Sequence, residues 1–243
     1  MILLFSGAIV FCASGRTDGG ARYDETFVLR TKHFKHIRER IVTGKLELMM
    51  GPMRSNKTAE LLRRADVRRQ YARQHVLLLK PSTDTKGGPG LVESRNPMGH
   101  GKMKAHEFNA ANPWEVLAVI NQREQEIGKK IECIALDEGQ FVSELFLFTK
   151  QLLEVGHDVL VAGLDLDFRA QPFGEMLNLS WLVNAFGGSI TECMAYCNCG
   201  ARALYSQRLI DGQPAAYDCP VNVLGDAYEP RCSEHFVLPG RPR

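Results

Sequence analysis

The stretch that most constrains this chain runs from Leu46 to Ala65. An apolar run, Leu46-Glu47-Leu48-Met49-Met50, reads as a buried strand, and Ala59-Glu60-Leu61-Leu62-Arg63-Arg64-Ala65 carries leucine and alanine at helical spacing. Between them lies Gly51-Pro52-Met53-Arg54-Ser55-Asn56-Lys57-Thr58. Strand, glycine-led loop, Lys-Thr and helix is the order that a phosphate-binding P-loop requires. The backbone N–H groups turn inward, and the helix N-terminus adds partial positive charge. The lysine reaches the outer phosphates, and the threonine hydroxyl holds Mg²⁺. All eight residues from Gly51 to Thr58 are therefore candidates for nucleotide phosphates. The glycine expected just before the lysine is Asn56 here. Asparagine tolerates left-handed geometry better than most residues, so the loop is expected to close. A chance turn of the same spelling is the alternative, and the strand before and helix after weigh against it.

Downstream, short apolar runs alternate with helical segments. Val76-Leu77-Leu78-Leu79, Ile131-Glu132-Cys133-Ile134-Ala135-Leu136 and Val159-Leu160-Val161-Ala162-Gly163-Leu164 read as strands, and 114–125 and 145–155 as helices. Residues 87–104, rich in glycine, proline and polar side chains, read as a loop or edge hairpin. The alternation predicts an α/β fold, a parallel sheet with helices on both faces, whose ligands bind beyond the carboxyl ends of the strands. Asp137-Glu138 falls at such an end. Paired with an upstream P-loop, Asp137 is suited to hold Mg²⁺ with Thr58, and Glu138 to serve as base or water-positioner. An acidic pair opening a helix is the plainer alternative. The arginines after the loop (Arg63, Arg64, Arg68, Arg69, Arg73) read as a solvated face.

A net charge of +2 over 243 residues gives no mandate for nucleic acid or membrane. Seven cysteines, an odd number crowded toward the C-terminus, argue for a reducing compartment and a local metal site rather than a disulfide framework. Cys197-x-Cys199 and Cys232-x2-His235 form two ligand pairs, the pattern of a structural zinc ribbon whose four ligands leave no open position. Cys12, Cys133, Cys193 and Cys219 read as unmatched thiols, with Cys193 a reserve ligand. Residues 1–44 start apolar and turn basic (Arg30, Lys32, Lys35, Arg38, Arg40). A targeting peptide, a basic arm and a start upstream of the true one compete there. We read an extension outside the fold, followed by a P-loop domain over 45–190, a zinc-binding domain over 191–238 and a tail over 239–243.

In this order the motifs resemble the type II thymidine kinase family from about Lys45 to Val237. The resemblance is carried by Gly51-Pro52-Met53, Asp137-Glu138-Gly139-Gln140-Phe141, Gly163-Leu164-Asp165-Leu166-Asp167-Phe168-Arg169, Pro172-Phe173-Gly174 and the two zinc pairs. It implies a RecA-like P-loop domain plus a small zinc-containing lasso domain. It also implies ATP-dependent phosphorylation of thymidine at the 5′-hydroxyl by a cytoplasmic homotetramer, with no stable nucleic-acid partner. By the same matching, Lys57 stabilises the transferring phosphoryl group, Thr58 and Asp137 hold Mg²⁺, and Glu138 takes the hydroxyl proton. Thymine lies against Met53, Phe141, Leu164 and Phe168, with Phe173 and Ser206 close by. A lasso over 221–225 contributes Val221 and Val223, and Tyr228 sits at the ribose. From residue type alone, Phe141, Leu164 and Phe173 are ordinary core.

The departures from the family are Asn56, Arg54 in place of an aromatic, and Lys86 in place of an arginine, with Arg95 available to compensate. Lysine keeps the charge and loses the bidentate fork. Two rival readings are a RecA-like ATPase gripping nucleic acid and a catalytically weak nucleotide-binding relative. The first would show a basic stripe interleaved with aromatics, which 45–243 lack.

Overall fold

Residues 4–5, 8–9, 43–85, 87–94, 101–221 and 228–240 are described by the computed structural model. The chain divides into two units, Met1–Glu39 and Arg40–Arg243. In the first, β1 (Leu4–Phe5) pairs antiparallel with β2 (Ala8–Ile9). Cys12 and the basic run after it lie outside the described residues.

The second unit begins with β3 (Leu46–Met50), α1 (Lys57–Gln70) and β4 (Val76–Pro81). An antiparallel hairpin, β5 (Leu91–Glu93) and β6 (Lys102–Lys104), leads to β7 (His106–Phe108) and α2 (Glu115–Ile127). Then come β8 (Cys133–Leu136), α3 (Leu145–Glu154), β9 (Asp158–Gly163), α4 (Leu179–Phe186) and β10 (Gly188–Glu192). Six of these strands form one sheet in the order β10-β3-β9-β8-β4-β7, each pair parallel. Parallel neighbours need crossovers, and the helices supply most of them.

Both faces of the sheet are buried, which is why its central strands read as continuous apolar runs. On one face, Leu61, Leu62 and Ala65 of α1 pack with Met49, Leu78, Ala135, Leu160 and Ala162. On the other, Val116, Phe148, Leu152 and Leu179 from the remaining helices meet Leu48, Ile134, Val159 and Val161. Leu160 and Val161 are chain neighbours in opposite layers, as the two-residue period of a strand demands.

The sequence reading missed two sheet strands, both at edges. β7 is three residues long, and β10 spells Gly-Ser-Ile-Thr-Glu with mostly exposed side chains. Neither carries an apolar run; each is a strand because β4 or β3 offers a free row of backbone groups. Gly188 (φ +134°) fits because a Cβ there would come within 1.9 Å of the Leu46 carbonyl oxygen. β10 continues past residue 190, the expected end of the P-loop domain.

The solvated basic face also needs correction. Arg64 and Arg68 are folded down against the sheet, each with a side chain 17% exposed. Arg64 pairs with Glu47 and Glu60, and Arg68 with Glu47 and Asp158, at 2.5–2.8 Å. Glu60 is a helical neighbour of Arg64, but Glu47 and Asp158 come from β3 and β9, which the helical pattern alone did not place beneath the arginines. Arg63 and Arg69 do remain about half exposed.

The C-terminal part is built differently. β11 (Ala195–Tyr196) and β12 (Arg202–Ala203) form a hairpin. β13 (Tyr205–Ile210) is the centre of an antiparallel sheet between β14 (Gln213–Pro214) and β15 (Tyr228–Arg231). Its apolar content is small: Ala215 and Tyr228 cluster with Phe168 from the segment after β9, and Tyr205 stacks on Phe236 at 4.4 Å. Among the described residues no helix is long and apolar enough to cross a membrane.

Candidate active site

Because β3, β9 and β8 are parallel neighbours, their carboxyl ends bring residues 51–58, 164–165 and 137–138 to one edge of the sheet. Asn56 takes the left-handed conformation (φ 63°, ψ 22°), and Arg54 lies there too (φ 61°). Lys57 and Thr58 then open α1.

The Lys57 amine folds back over its own loop, donating to the Pro52 carbonyl at 2.7 Å and to Ser55 Oγ at 3.3 Å. Burial lowers its pKa below the ordinary lysine value, opposed by the negative charges of Glu138, Asp137 and Asp165. Thr58 Oγ1 donates to the Asp137 carboxylate at 3.1 and 3.3 Å. With Mg–O distances of about 2.05 Å, adjacent oxygens of an octahedral site lie about 2.9 Å apart, so this pair is spaced to share one ion.

Glu138 follows in a left-handed conformation (φ 52°) and caps a single 3-10 turn over Gly139–Phe141. The acidic pair thus does open a helical turn, and both of its members also line a cavity of about 550 Å³. Met53, Arg54, Lys57, Thr58 and Leu164 share that lining. Two further lining residues, Asp84 and Glu93, were not singled out from sequence. Gln140, quoted above only as part of a motif, donates from Nε2 to Glu138 Oε2 at 2.5 Å. Nothing in residue type or spacing distinguishes these three without the fold.

The residues expected around thymine converge from distant parts of the chain. Met53 and Val221 pack against the buried cluster of Phe168, Ala215 and Tyr228. Ser206, 2% exposed, accepts the Met53 N–H at 2.9 Å, joining the P-loop to β13. Arg208, also buried in β13, donates to the Pro220 carbonyl and lies over the Phe168 ring at 5.5 Å. Phe141 and Phe173 meet edge to face at 5.4 Å, a packing contact that their residue types alone would predict. Val223, Lys86 and Arg95 lie outside the described residues.

At the far side of β15, the ligand atoms of Cys197, Cys199, Cys232 and His235 lie within 4.8 Å of one another. Cys199 Sγ and Cys232 Sγ are 3.8 Å apart, and Cys232 Sγ is 3.2 Å from His235 Nδ1. Thiolates about 2.3 Å from one tetrahedral zinc sit about 3.8 Å from each other, so the donor set and spacing fit a closed structural site. Cys193 is not in the cluster; its backbone N–H donates to the Met50 carbonyl beside the P-loop. A sequence model of a known family, described as thymidine kinase, matches residues 44–236.

Proposed function

This chain belongs to the thymidine kinase family, and from that premise we propose that it transfers the γ-phosphoryl group of ATP to the 5′-hydroxyl of thymidine, giving dTMP and ADP. The observation that carries the reading is one shared cavity. It holds a P-loop lysine, a Thr58–Asp137 pair and the Glu138 carboxylate, and Met53 and Leu164 line it as well.

The triphosphate lies along residues 51–58, and the Lys57 amine exchanges Pro52 and Ser55 for phosphate oxygens. Thr58 and Asp137 would hold Mg²⁺, which when bound would supply charge neutralisation for the phosphates. Glu138 accepts the proton as the 5′-oxygen bonds to the γ-phosphorus and the bond from that phosphorus to the β,γ-bridging oxygen breaks. Partial desolvation of Lys57 strengthens its attraction for the phosphoryl charge. Thymine packs among Met53, Leu164, Phe168 and Val221, with Tyr228 at the sugar. Phe141, Phe173, Ser206 and Val223 complete the surroundings. Cys197, Cys199, Cys232 and His235 hold a zinc ion that braces β11–β12 against the turn after β15.

From the family resemblance we also carry a cytoplasmic homotetramer, and from the start of the compact domain at Lys45 an extension dispensable for the fold. Light scattering tests the first, and deletion of residues 1–43 with activity retained tests the second. The decisive assay is purified protein with ATP, Mg²⁺ and thymidine. We expect dTMP, and we expect Glu138→Gln to abolish it while ATP binding persists. Turnover near wild type in that variant removes Glu138 from the role of base. ATP loss stimulated only by DNA would replace the kinase reading altogether.

A further inference from the structure

We propose that Gln140 is a positioning residue for the base: its amide is clamped at one end by β9 and aims its other end at the Glu138 carboxylate. The inference rests on the reading of Glu138 as the group that takes the 5′-hydroxyl proton. An amide has a donor end and an acceptor end, and its orientation follows from what each end meets. The Leu164 backbone N–H can only donate, so the oxygen it meets at 2.9 Å is Gln140 Oε1. The NH₂ group therefore faces the opposite way, where Glu138 Oε2 lies 2.5 Å from Nε2. One side chain thus ties the residue after β9 to the residue two places after β8.

The surroundings leave this side chain little choice. Gln140 is 3% exposed. A Cβ at Gly163 would come within 2.6 Å of Gln140 Oε1 and 2.8 Å of the Met176 sulfur. A Cβ at Gly174 (φ +54°) would come within 2.4 Å of the Gln140 carbonyl oxygen. Two separate segments thus give up side chains where the amide and its backbone pass. Glu138 itself sits on a left-handed backbone, and its side chain has three rotatable torsions. Proton transfer from a hydroxyl requires the carboxylate within hydrogen-bond reach, and a misplacement of about 1 Å can cost about 10²-fold.

Two variants separate aiming from packing. Gln140→Glu keeps an oxygen for Leu164 N–H but, when ionised, has no proton for Glu138. Gln140→Met keeps the volume and neither hydrogen bond. We expect both to lower kcat about 10²-fold while KM for thymidine and for ATP stays within about twofold. A crystal structure of Gln140→Met should show the Glu138 carboxylate displaced. Near-wild-type kcat in Gln140→Glu, or an unmoved Glu138 in the Gln140→Met crystal, overturns the proposal. If the wild type makes no dTMP, the kinase reading alone falls, and the position of Glu138 in that crystal still decides the clamp.

Discussion

The sheet around β3, β9 and β8 and the C-terminal region around β13 hold themselves together by different physics. The first buries apolar side chains in two layers, with Leu46, Leu48, Met49, Leu160, Val161 and Ala162 at 0–1% exposure. The second shares one small buried cluster and has, at its far end, three cysteines and a histidine close enough together to hold a metal ion. Apolar burial grows with the area enclosed, and a few short strands cannot enclose much. A region that size needs a local cross-link. The lesson is a division of labour: a doubly buried sheet holds itself by apolar packing, and a small region with little core carries a cluster suited to a metal cross-link.

The sharpest way to break that contrast is to remove the metal. Structural zinc binding is commonly worth on the order of 10 kcal/mol. A strong chelator, or Cys232→Ser, should abolish amide protection across 195–236 and nucleoside binding, with β9 still protected. Loss of protection in β9 at the same chelator concentration would show that the two regions fold as one.

The converse cut is Leu160→Ala, at 0% exposure in the same buried layer as Leu61 and Ala135. A cavity there should cost about 3 kcal/mol in urea unfolding, with the zinc content of the folded protein unchanged. A smaller effect is expected at the joint. Ser206→Ala leaves the Met53 N–H without its 2.9 Å acceptor. That should cost about 1 kcal/mol, read as an approximately fivefold weaker thymidine affinity.

The smallest effect lies in acid. The Arg63 hydrogen bond, helped by Arg64 and opposed by burial, holds the Glu60 carboxyl down at about 2 against an ordinary 4.5. A depressed folded-state pKa contributes stability that is complete above 4.5 and is lost as pH falls toward about 2. Arg63 is largely solvated, so solvent screening limits the contribution to about 1 kcal/mol or less. Glu60→Gln should flatten the stability profile in that window, lowering stability by that amount at neutral pH and leaving it unchanged once the pH falls to about 2.

Much of the rigid layer was legible along the chain. Four central strands showed as apolar runs because parallel strands are buried on both sides, and Asp137-Glu138 announced itself by following one of them. β7 and β10 carried no such mark, since an edge strand needs only a neighbour's backbone. In the C-terminal region the metal ligands were legible from spacing, while its sheet was not. Strands there are two to six residues long, and no periodic pattern develops over so few positions.

By itself, the order of residues determined the P-loop, the acidic pair at a strand end and the two Cys/His pairs whose spacing suits a metal. Each is a local arrangement in which a few neighbouring atoms already state the chemistry. Only the tertiary structure decided that Arg64 and Arg68 turn inward to Glu47 and Asp158, that Ser206 holds Met53, and that Gln140 faces Glu138 with its donor end. Those facts depend on which strand lies beside which, and sheet order is set by packing between segments far apart in the chain.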